Sequence, residues 1–161
     1  YLGAVARRIE QHTGQAPLGW SSPWLSQNTH TVDLLAECGY GYVLDLGMDD
    51  RAVWLDSEHG PFLHIPYALE LNDSSTIIGR QASASDFCQM IIDQFDELLG
   101  ASADQPLVMS VVVHSFISGQ PFRLRQLTRA LQHICAHRDG IWLTTPDRIH
   151  DCIQAEPGLA C

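Results

Sequence analysis

Lysine is missing from this chain of 161 residues, and all nine of its basic residues are arginine. The absence excludes a Schiff-base or lysine-nucleophile mechanism within the chain. The 19 acidic residues then leave a formal net charge of −10 with histidine neutral. Such an acidic balance disfavours nucleic acid and anionic membrane surfaces as partners. We therefore expect no nucleic-acid partner and no membrane partner.

Paired cysteines and long apolar runs are also absent. The five cysteines include no two at C-x-x-C spacing, so nothing in the sequence supports a zinc ribbon or a redox motif. Cysteines within predicted helices behave as small apolar residues when they are buried. We therefore interpret them as reduced thiols of an intracellular protein and expect a cytoplasmic location. No apolar stretch is long enough to cross a bilayer, and no signal peptide is evident. The chain enters a helix directly at Tyr1, so we expect it to be a fragment.

The patterns that are present alternate between strands and helices, which is typical of parallel βα units. We predict helices over 3–13, 32–38, 83–99, 121–137 and 146–154, strands over 18–20, 42–44, 107–113 and 141–144, and a hairpin that pairs 52–55 with 62–65. Gly14 should stop the first helix, Thr31 should cap the second, and Ser83 with Asp86 should form a capping box at the start of the third. The predicted fold class is α/β, with about four parallel strands, flanking helices and a small hairpin. A complete (β/α) barrel needs about 250 residues, so this set is that of a partial barrel. Residues 1–154 would form one domain and 155–161 a frayed tail.

His114 is the strongest candidate for a chemical role. It closes the apolar run 106–113 and stands directly before a polar loop. A near-continuous β-branched run is typical of a strand that is buried on both faces, as in parallel sheets. Ligands and catalytic groups lie at the carboxyl ends of such strands. His114 is therefore a candidate general acid or base, and the alternative is a solvated loop histidine.

Other polar residues follow the remaining predicted strands. Asp45 directly ends the strand at 42–44, where a carboxylate must be hydrogen-bonded or near solvent. Asp49 and Asp50 follow in the next loop and could bind substrate, although a solvated acidic turn is an equally good interpretation. Carboxylates beside a histidine can orient it, raise its pKa or hold a metal.

Aromatic and amide side chains complete the set of candidate binding residues. Tyr67, Asn72 and Asp73 lie in an irregular stretch, and such loops often supply directional polar groups to a site. Trp20 and Trp24 offer flat apolar surfaces for a sugar or a planar ring. The alternative for each tryptophan is packing in the core.

His133 and His137 have the i, i+4 spacing that can bind a metal on one helix face. The apolar stripe of that helix points both rings toward solvent, and no neighbouring glutamate completes a metalloprotease motif. We therefore do not assign a metal site to them. No glycine-rich phosphate loop and no G-x-S-x-G motif appears either.

Taken together, several of these segments resemble the polysaccharide deacetylase (NodB-type) family in its allantoinase-like branch. The resemblance covers about residues 4–153, and its ordered set of motifs is more specific than any single one. It is carried by 19–26, 33–40, 42–45, Asp49-Asp50, 65–67, 70–73, 93–96, His114 with 119–123, and 142–146.

The resemblance implies a distorted (β/α) barrel of which this chain is the carboxyl-terminal half. It implies hydrolysis of a non-peptide carbon–nitrogen bond, commonly the N-acetyl group of a sugar, or of a cyclic ureide in allantoinases. A divalent metal, usually zinc, would activate water and be held by an Asp and two His. His114 matches the general acid of the last motif, and Asp45 matches the motif that shapes and polarises the site.

The chain also departs from the family pattern. The early motifs with paired aspartates and the H-x-x-x-H/D metal pair are absent and belong before residue 1, so the metal ligands would lie upstream. Ser22-Pro23 stands where many members carry Arg, Leu46 replaces a Trp, and Ser115 replaces a Pro. These differences leave two alternatives open: an allantoinase-like cyclic amide hydrolase and a catalytically inactive carbohydrate-binding relative. Half a barrel also leaves two open sheet edges, so we expect self-association.

Overall fold

The computed structural model describes all 161 residues and divides them into two compact units. The first unit comprises Tyr1–Pro66 together with Thr144–Cys161. The second unit comprises Tyr67–Leu143. Each unit contains its own buried apolar cluster, and each carries some of the candidate functional residues.

A four-stranded sheet forms the centre of the first unit. Its strands are β1 (Gly19–Trp20), β2 (Tyr42–Val43), β3 (Val53–Leu55) and β4 (Phe62–His64), in the order β1-β2-β4-β3. β1, β2 and β4 are mutually parallel along that order, and β3 runs antiparallel to β4. The predicted hairpin is thus confirmed, and its second strand also extends the parallel set.

Three helices surround this sheet within the first unit: α1 (Leu2–Thr13), α2 (Thr31–Glu37) and α5 (Pro146–Ala155). α1 ends as predicted at Gly14, whose φ of 79° is left-handed and suits a residue without a side chain. The expected cap of α2 is wrong, because the Thr31 hydroxyl accepts a hydrogen bond from the Asn28 amide instead. The cluster beneath α2 contains Leu35, Tyr40, Val43 and Phe62.

The last residues of the chain are ordered against β3 rather than frayed. The Cys161 amide donates to the Ala52 carbonyl over 2.9 Å, and the Trp54 amide donates to the Cys161 carbonyl over 2.8 Å. The Trp54 indole also donates to the Pro157 carbonyl. These bonds continue the ladder beyond β3, so this stretch covers an edge that would otherwise expose unpaired backbone groups.

The second unit is built on two packed helices, α3 (Ala84–Ala101) and α4 (Pro121–Ala136). The predicted capping box forms at the start of α3, where Ser83 and Asp86 bond reciprocally to each other's backbone amides. A one-turn π-helix, Ser74–Gly79, interrupts the stretch that was expected to be irregular. The shared core contains Leu71, Ile77, Phe87, Cys88, Ile91, Ile117, Leu127 and Ala130. Neither these helices nor any others have the length and apolar content needed to cross a membrane.

Two of the predicted strands do not form as ladders. Residues 107–113 make a single parallel bridge, between Val112 and Asn72, and 141–144 make none. Val113 is 47% exposed, so the predicted burial on both faces is also wrong. A β-branched run favours extended backbone, but a strand also requires partners that the pattern cannot supply. The broader prediction of an α/β fold with a small sheet, flanking helices and a hairpin is confirmed.

Candidate functional site

The second unit brings His114 and Asp73 into direct contact. The Nδ1 atom of His114 lies 2.6 Å from Oδ1 of Asp73, and the His114 amide donates to Oδ2 over 2.8 Å. The parallel bridge between Asn72 and Val112 brings the two segments together, with Asp73 one residue beyond Asn72 and His114 two residues beyond Val112. Two backbone hydrogen bonds of Val112, to Leu71 and from Asp73, thus bring together side chains that are 41 residues apart in the sequence.

Ser118 completes the surroundings of the Asp73 carboxylate. Its hydroxyl donates to Oδ2 of Asp73 over 2.6 Å, and its amide donates to the same oxygen over 3.3 Å. Burial by itself raises the pKa of Asp73. The hydrogen bonds from Ser118 and from the backbone and ring of His114 outweigh burial, so the net pKa is lowered. Asp73 is therefore a fully buried carboxylate with a partner for each oxygen.

A tight turn carries Ser118 back to Asp73. The amides of Ile117 and Ser118 both donate to the His114 carbonyl over 2.9 Å. Gly119 closes the turn, and a Cβ atom there would lie 2.1 Å from the Ser115 carbonyl oxygen. Only glycine fits that approach without moving the backbone.

This arrangement leaves one nitrogen of His114 for chemistry. A carboxylate can only accept, so the contact with Asp73 holds the proton of the neutral ring on Nδ1 and leaves Nε2 unprotonated. The His114 side chain is 38% exposed, and the Phe116 ring packs edge-on against it at 5.6 Å between centroids. The same relation between a buried Asp and a His orients proton-transferring imidazoles in many enzymes.

The neighbours of this pair include two more predicted residues. Burial raises the pKa of the Tyr67 hydroxyl, and the Asp73 charge raises it further. The Asn72 side chain accepts a hydrogen bond from the Ser74 amide over 3.0 Å, so it stabilises the turn that follows. Asp73 was predicted to bind substrate, but its oxygens are already engaged by His114 and Ser118. Its position is that of a residue that orients His114.

In the first unit, Asp45 directly follows the strand-like stretch that continues β2. Its Oδ1 atom accepts a hydrogen bond from the Ser22 amide over 2.6 Å, while its buried Oδ2 atom has no hydrogen-bond partner. The Trp20 indole donates to the Ser22 hydroxyl over 2.9 Å and stacks edge-on against Tyr40. Trp20 therefore contributes to packing and fixes the segment that binds Asp45.

A buried histidine near Asp45 was not predicted from the sequence. His64 is the last residue of β4, its exposed fraction is 0%, and neither ring nitrogen has a hydrogen-bond partner. Burial lowers the pKa of His64, while the nearby Leu46 carbonyl and the Asp45 charge act in the opposite direction. In the register of the sheet His64 pairs with Val43, so it shares a face with Asp45 two residues further on.

The remaining predicted residues of this unit lie at the surface. The Trp24 side chain is 93% exposed, and its backbone is left-handed at φ 58°, followed by Leu25 at φ 53°. Asp49 accepts a hydrogen bond from the Arg51 amide over 3.2 Å, and Asp50 is exposed in the same loop. These two aspartates belong to a polar turn, which was one of the two interpretations of their sequence.

No group of three His, Cys, Asp or Glu side chains in this chain is arranged to hold a metal ion. The His133–His137 pair has other partners. His133 Nε2 lies 2.6 Å from the Asp96 carboxylate, and His137 Nδ1 lies 3.1 Å from the His133 carbonyl. Both rings also pack against Phe95. The residues present therefore do not fit the Asp and two-His metal site that the resemblance implies.

Comparison with known proteins gives relatives over nearly the whole chain, although no family model matches. A putative polysaccharide deacetylase of Schizosaccharomyces pombe is 30% identical over 159 residues, covering 89% of this chain and 49% of the relative. A peptidoglycan deacetylase of Helicobacter pylori is 24% identical, covering 92% and 61%. The chain thus spans about half to three-fifths of the length of the curated relatives that it matches.

Solved structures give the same result. The PuuE allantoinase superposes with a TM-score of 0.85 and 29% identity, covering 95% of this chain and 51% of that one. A probable polysaccharide deacetylase of Pseudomonas aeruginosa PAO1 gives a TM-score of 0.83, with the same identity and coverage. A putative polysaccharide deacetylase of Mycobacterium smegmatis shares the fold at a TM-score of 0.77 and 23% identity. Over the part that it covers, the chain is similar to polysaccharide and peptidoglycan deacetylases, with an allantoinase among its structural neighbours.

Proposed function

We propose that the intact protein hydrolyses a carbon–nitrogen amide bond, and that its substrate is an N-acetylated sugar or polysaccharide. The observation that carries the proposal is the Asp73–His114 contact, in which a buried carboxylate holds a half-exposed imidazole by Nδ1. This geometry suits proton transfer at Nε2, because Asp73 fixes the ring and leaves that nitrogen without a partner in the chain. Its relatives named as deacetylases supply the reaction class.

In this proposal His114 is the general acid. Water adds to the acetyl carbonyl and gives one proton to a base, which the resemblance assigns to an aspartate upstream of this chain. As the carbon–nitrogen bond breaks, His114 in its doubly protonated form gives its Nε2 proton to the departing nitrogen, and the base later returns a proton to the ring. The products are the amine and acetic acid, which account for all atoms of the amide and the water. Asp73 acts as a positioning residue, since it touches His114 and not the reacting atoms. Its contact with Nδ1 fixes the orientation of the ring, so that Nε2 is the nitrogen that can reach a substrate.

Asp45 is a separate candidate within the first unit. Its buried Oδ2 atom has no hydrogen-bond partner within the chain, so it retains an acceptor position. The family resemblance gives residues of this motif the role of shaping and polarising the site. We propose that role for Asp45, with Trp24, Asp49, Asp50, Tyr67 and Asn72 as candidates for substrate binding.

The resemblance also implies a divalent metal, most simply zinc. Because the residues of this chain do not form its ligand set, we propose that the ligands lie upstream in the intact protein. When bound, such an ion activates water and polarises a carbonyl. Chelation of the intact protein should then abolish hydrolysis, and re-addition of zinc should restore it.

A second candidate is a cyclic amide hydrolase of the allantoinase type. The superposition on the PuuE allantoinase, at a TM-score of 0.85, favours it specifically. The third alternative, an inactive carbohydrate-binding relative, predicts binding without turnover. We further propose that the protein is cytoplasmic, binds neither nucleic acid nor membrane, and can self-associate as a homo-oligomer.

A substrate panel separates these candidates. The intact protein is incubated with an N-acetylglucosamine tetramer, with peptidoglycan and with allantoin, and acetate and ring-opened ureide are measured. Acetate release from either glycan supports the deacetylase, and ring opening alone supports the allantoinase type. Absence of both products, with a zinc-loaded protein that still binds the tetramer, contradicts both enzymes and supports the inactive relative.

A further inference from the structure

The outer faces of α3 and α4 in the second unit carry opposite charges. α3 contains four acidic residues and no basic one, whereas α4 contains three arginines and no acidic residue. No arginine of α4 forms an ion pair with a carboxylate of this chain, although the chain has 19 acidic residues. Three cations therefore remain without a carboxylate partner in a strongly acidic protein, and the proposed reaction makes no use of them.

On α3 the charged residues form one stripe that faces solvent, the acidic stripe. Asp86, Gln89, Asp93 and Glu97 follow one another at spacings of three or four residues, which places them on one side of the helix. All four are exposed. Asp93 and Glu97 carry like charges at a spacing of four, an arrangement that destabilises an isolated helix. An external cation at this stripe would relieve that repulsion.

α4 repeats this arrangement with the opposite sign, in a basic stripe. Phe122, Arg125 and Arg129 lie at spacings of three and four residues, and all are exposed. Arg125 has no hydrogen-bond partner in the chain, and Arg129 donates only to the neutral side chain of Gln126, over 2.7 Å. The Phe122 side chain is 66% exposed. The basic stripe thus joins an aromatic ring, of the kind enriched at interfaces, to two like charges that a partner with carboxylates would stabilise.

The two stripes run side by side in the same direction. α3 and α4 pack together, and each follows one segment of the parallel bridge of this unit. The 2.6 Å contact between His133 and Asp96, which are 37 residues apart in the sequence, sets the height of one helix relative to the other. On this register each arginine of the basic stripe is level, to within one residue, with a member of the acidic stripe.

A two-fold axis parallel to the helices matches the two stripes. It lays the acidic stripe of one copy on the basic stripe of a second copy and leaves the heights unchanged. Arg129 then meets Asp93 of the second copy, and Arg125 meets Gln89 with Asp86 close by. Each contact occurs twice, because such an interface uses the same patch on both copies. A two-fold axis across the helices would instead set like charges against each other.

We propose that the intact protein forms a two-fold dimer through this α3–α4 face, with a second copy of itself as the partner. The proposal names the surface for the self-association proposed above and does not depend on the reaction. α3 has 18 residues and is about 27 Å long, so it and α4 together present about 500 Å² from each copy. The dimer would bury about 1,000 Å² in total, near the lower limit for a specific interface, so we expect a weak, salt-sensitive dimer.

Charge reversal in the intact protein tests this interface, with the dimer dissociation constant measured by analytical ultracentrifugation. R125E/R129E makes the α4 stripe acidic, and Q89R/D93R makes the centre of the α3 stripe basic. Each variant alone should raise the dissociation constant about a hundredfold or more, because like charges then face each other. Mixed in equal amounts, the two variants should form a one-to-one heterodimer, since each stripe then meets one of opposite charge. Failure of the mixture to form a heterodimer would overturn the proposal.

Matched controls carry the same changes of net charge on α1 in the first unit. R7E/R8E and E10R/Q11R alter residues that are exposed and belong to neither stripe. These variants should leave the dissociation constant within about twofold of the wild-type value. If the controls weaken the dimer as much as the stripe variants do, net charge explains the effect and the proposed surface is wrong.

Other outcomes contradict the proposal in different ways. A wild-type dimer that both stripe variants leave intact would place the interface elsewhere, and a wild-type protein that stays monomeric at about 1 mM would refute the dimer. If the upstream part of the intact protein covers this face, both stripe variants should lose thermal stability and the mixture should form no heterodimer. Acetate release per subunit should be unchanged in R125E/R129E, so the dimer and the deacetylase can fail independently.

Discussion

The two units each bury one aspartate, and the surroundings of these carboxylates differ. Asp73 in the second unit accepts hydrogen bonds from a ring nitrogen, a hydroxyl and two backbone amides. Asp45 in the first unit accepts one amide bond, and its other buried oxygen has no partner. Beside it, His64 buries two ring nitrogens that also have no partner.

The difference separates two uses of a buried carboxylate. Both oxygens of the Asp73 carboxylate accept hydrogen bonds, and these bonds hold His114 and the Ser118 turn in place. Asp45 has an acceptor position at Oδ2 that no group of the chain fills. The second unit thus holds a carboxylate with all its contacts made, whereas the first unit buries polar atoms that lack a partner.

The largest expected effect tests whether His114 of the second unit gives a proton to the departing nitrogen. H114A should lower kcat on the acetylated tetramer by roughly a hundredfold or more, the usual scale for a general acid. KM and metal content should stay unchanged, because His114 is expected to bind neither the ground-state substrate nor the metal. Steady-state kinetics and metal analysis measure both. Loss of metal in H114A would mean that His114 is a ligand and not the acid.

The next effect tests whether Asp73 acts only through His114. D73N should lower kcat about tenfold with little change in KM, the scale of losing the carboxylate partner of a functional histidine. The kcat–pH profile should also shift, which a loss of packing alone would not produce. An unchanged profile in D73N, with the exposed variant D104N as control, would contradict the positioning role.

The same variant should reveal the pH dependence of stability. The pKa of Asp73 is lower in the folded protein than in the unfolded chain, so its stabilisation is present above the ordinary carboxyl pKa. That stabilisation is lost as the pH falls through the lower folded value. Urea unfolding should therefore show wild type more stable than D73N by about 2 kcal/mol at pH 7. If the difference in free energy of unfolding between wild type and D73N does not narrow toward pH 3, the lowered pKa of Asp73 is contradicted.

A smaller effect tests whether the buried ring of His64 in the first unit lacks hydrogen-bond partners. H64L replaces with carbon a buried imidazole that makes no well-formed hydrogen bond, although the Leu46 carbonyl lies near it, so it should be neutral or stabilising by about 1 kcal/mol at pH 7. The folded pKa of His64 is lowered, so wild type should lose stability as the pH falls below about 6.5, whereas H64L should not. Parallel unfolding curves at pH 7 and pH 5 measure both. Strong destabilisation by H64L at pH 7 would indicate that His64 has a partner after all.

The smallest effect concerns the surface of the first unit. W24G should stabilise the protein by a few tenths of a kcal/mol, since glycine accepts φ 58° without strain but costs more entropy on folding. W24A keeps the strained backbone and should give no gain. A gain in both variants, measured by thermal unfolding, would show that the ring itself is unfavourable.

The sequence predicted the local elements well because their signals are local. Capping at Ser83 with Asp86, the stop at Gly14 and the hairpin near residues 52–65 each depend on neighbours within a few residues, and each is present. The strand predicted at 107–113 failed for the opposite reason. A ladder depends on distant partners, and residues 107–113 find only the single bridge from Val112 to Asn72.

The candidate site was predicted in part. His114 and Asp45 stand at the ends of recognisable apolar stretches, which marked them as candidates for chemistry. The partnership of Asp73 with His114 could not be deduced, because nothing in the spacing indicates which of many loop carboxylates lies nearby. His64 was missed because a histidine inside the apolar run Phe62–Ile65 looks the same whether or not its nitrogens find partners.

The turn at Gly119 provides a search criterion for other sequences. A histidine at a strand end is common, and by itself it identifies little. The Ser118 donors reach Asp73 only if the chain doubles back within five residues, and the contact with the Ser115 carbonyl leaves no room for a side chain at the closing position. A candidate sequence with a histidine but without a glycine five positions later cannot build this turn. Serine-glycine at those positions is therefore a more discriminating signature of the site than the histidine.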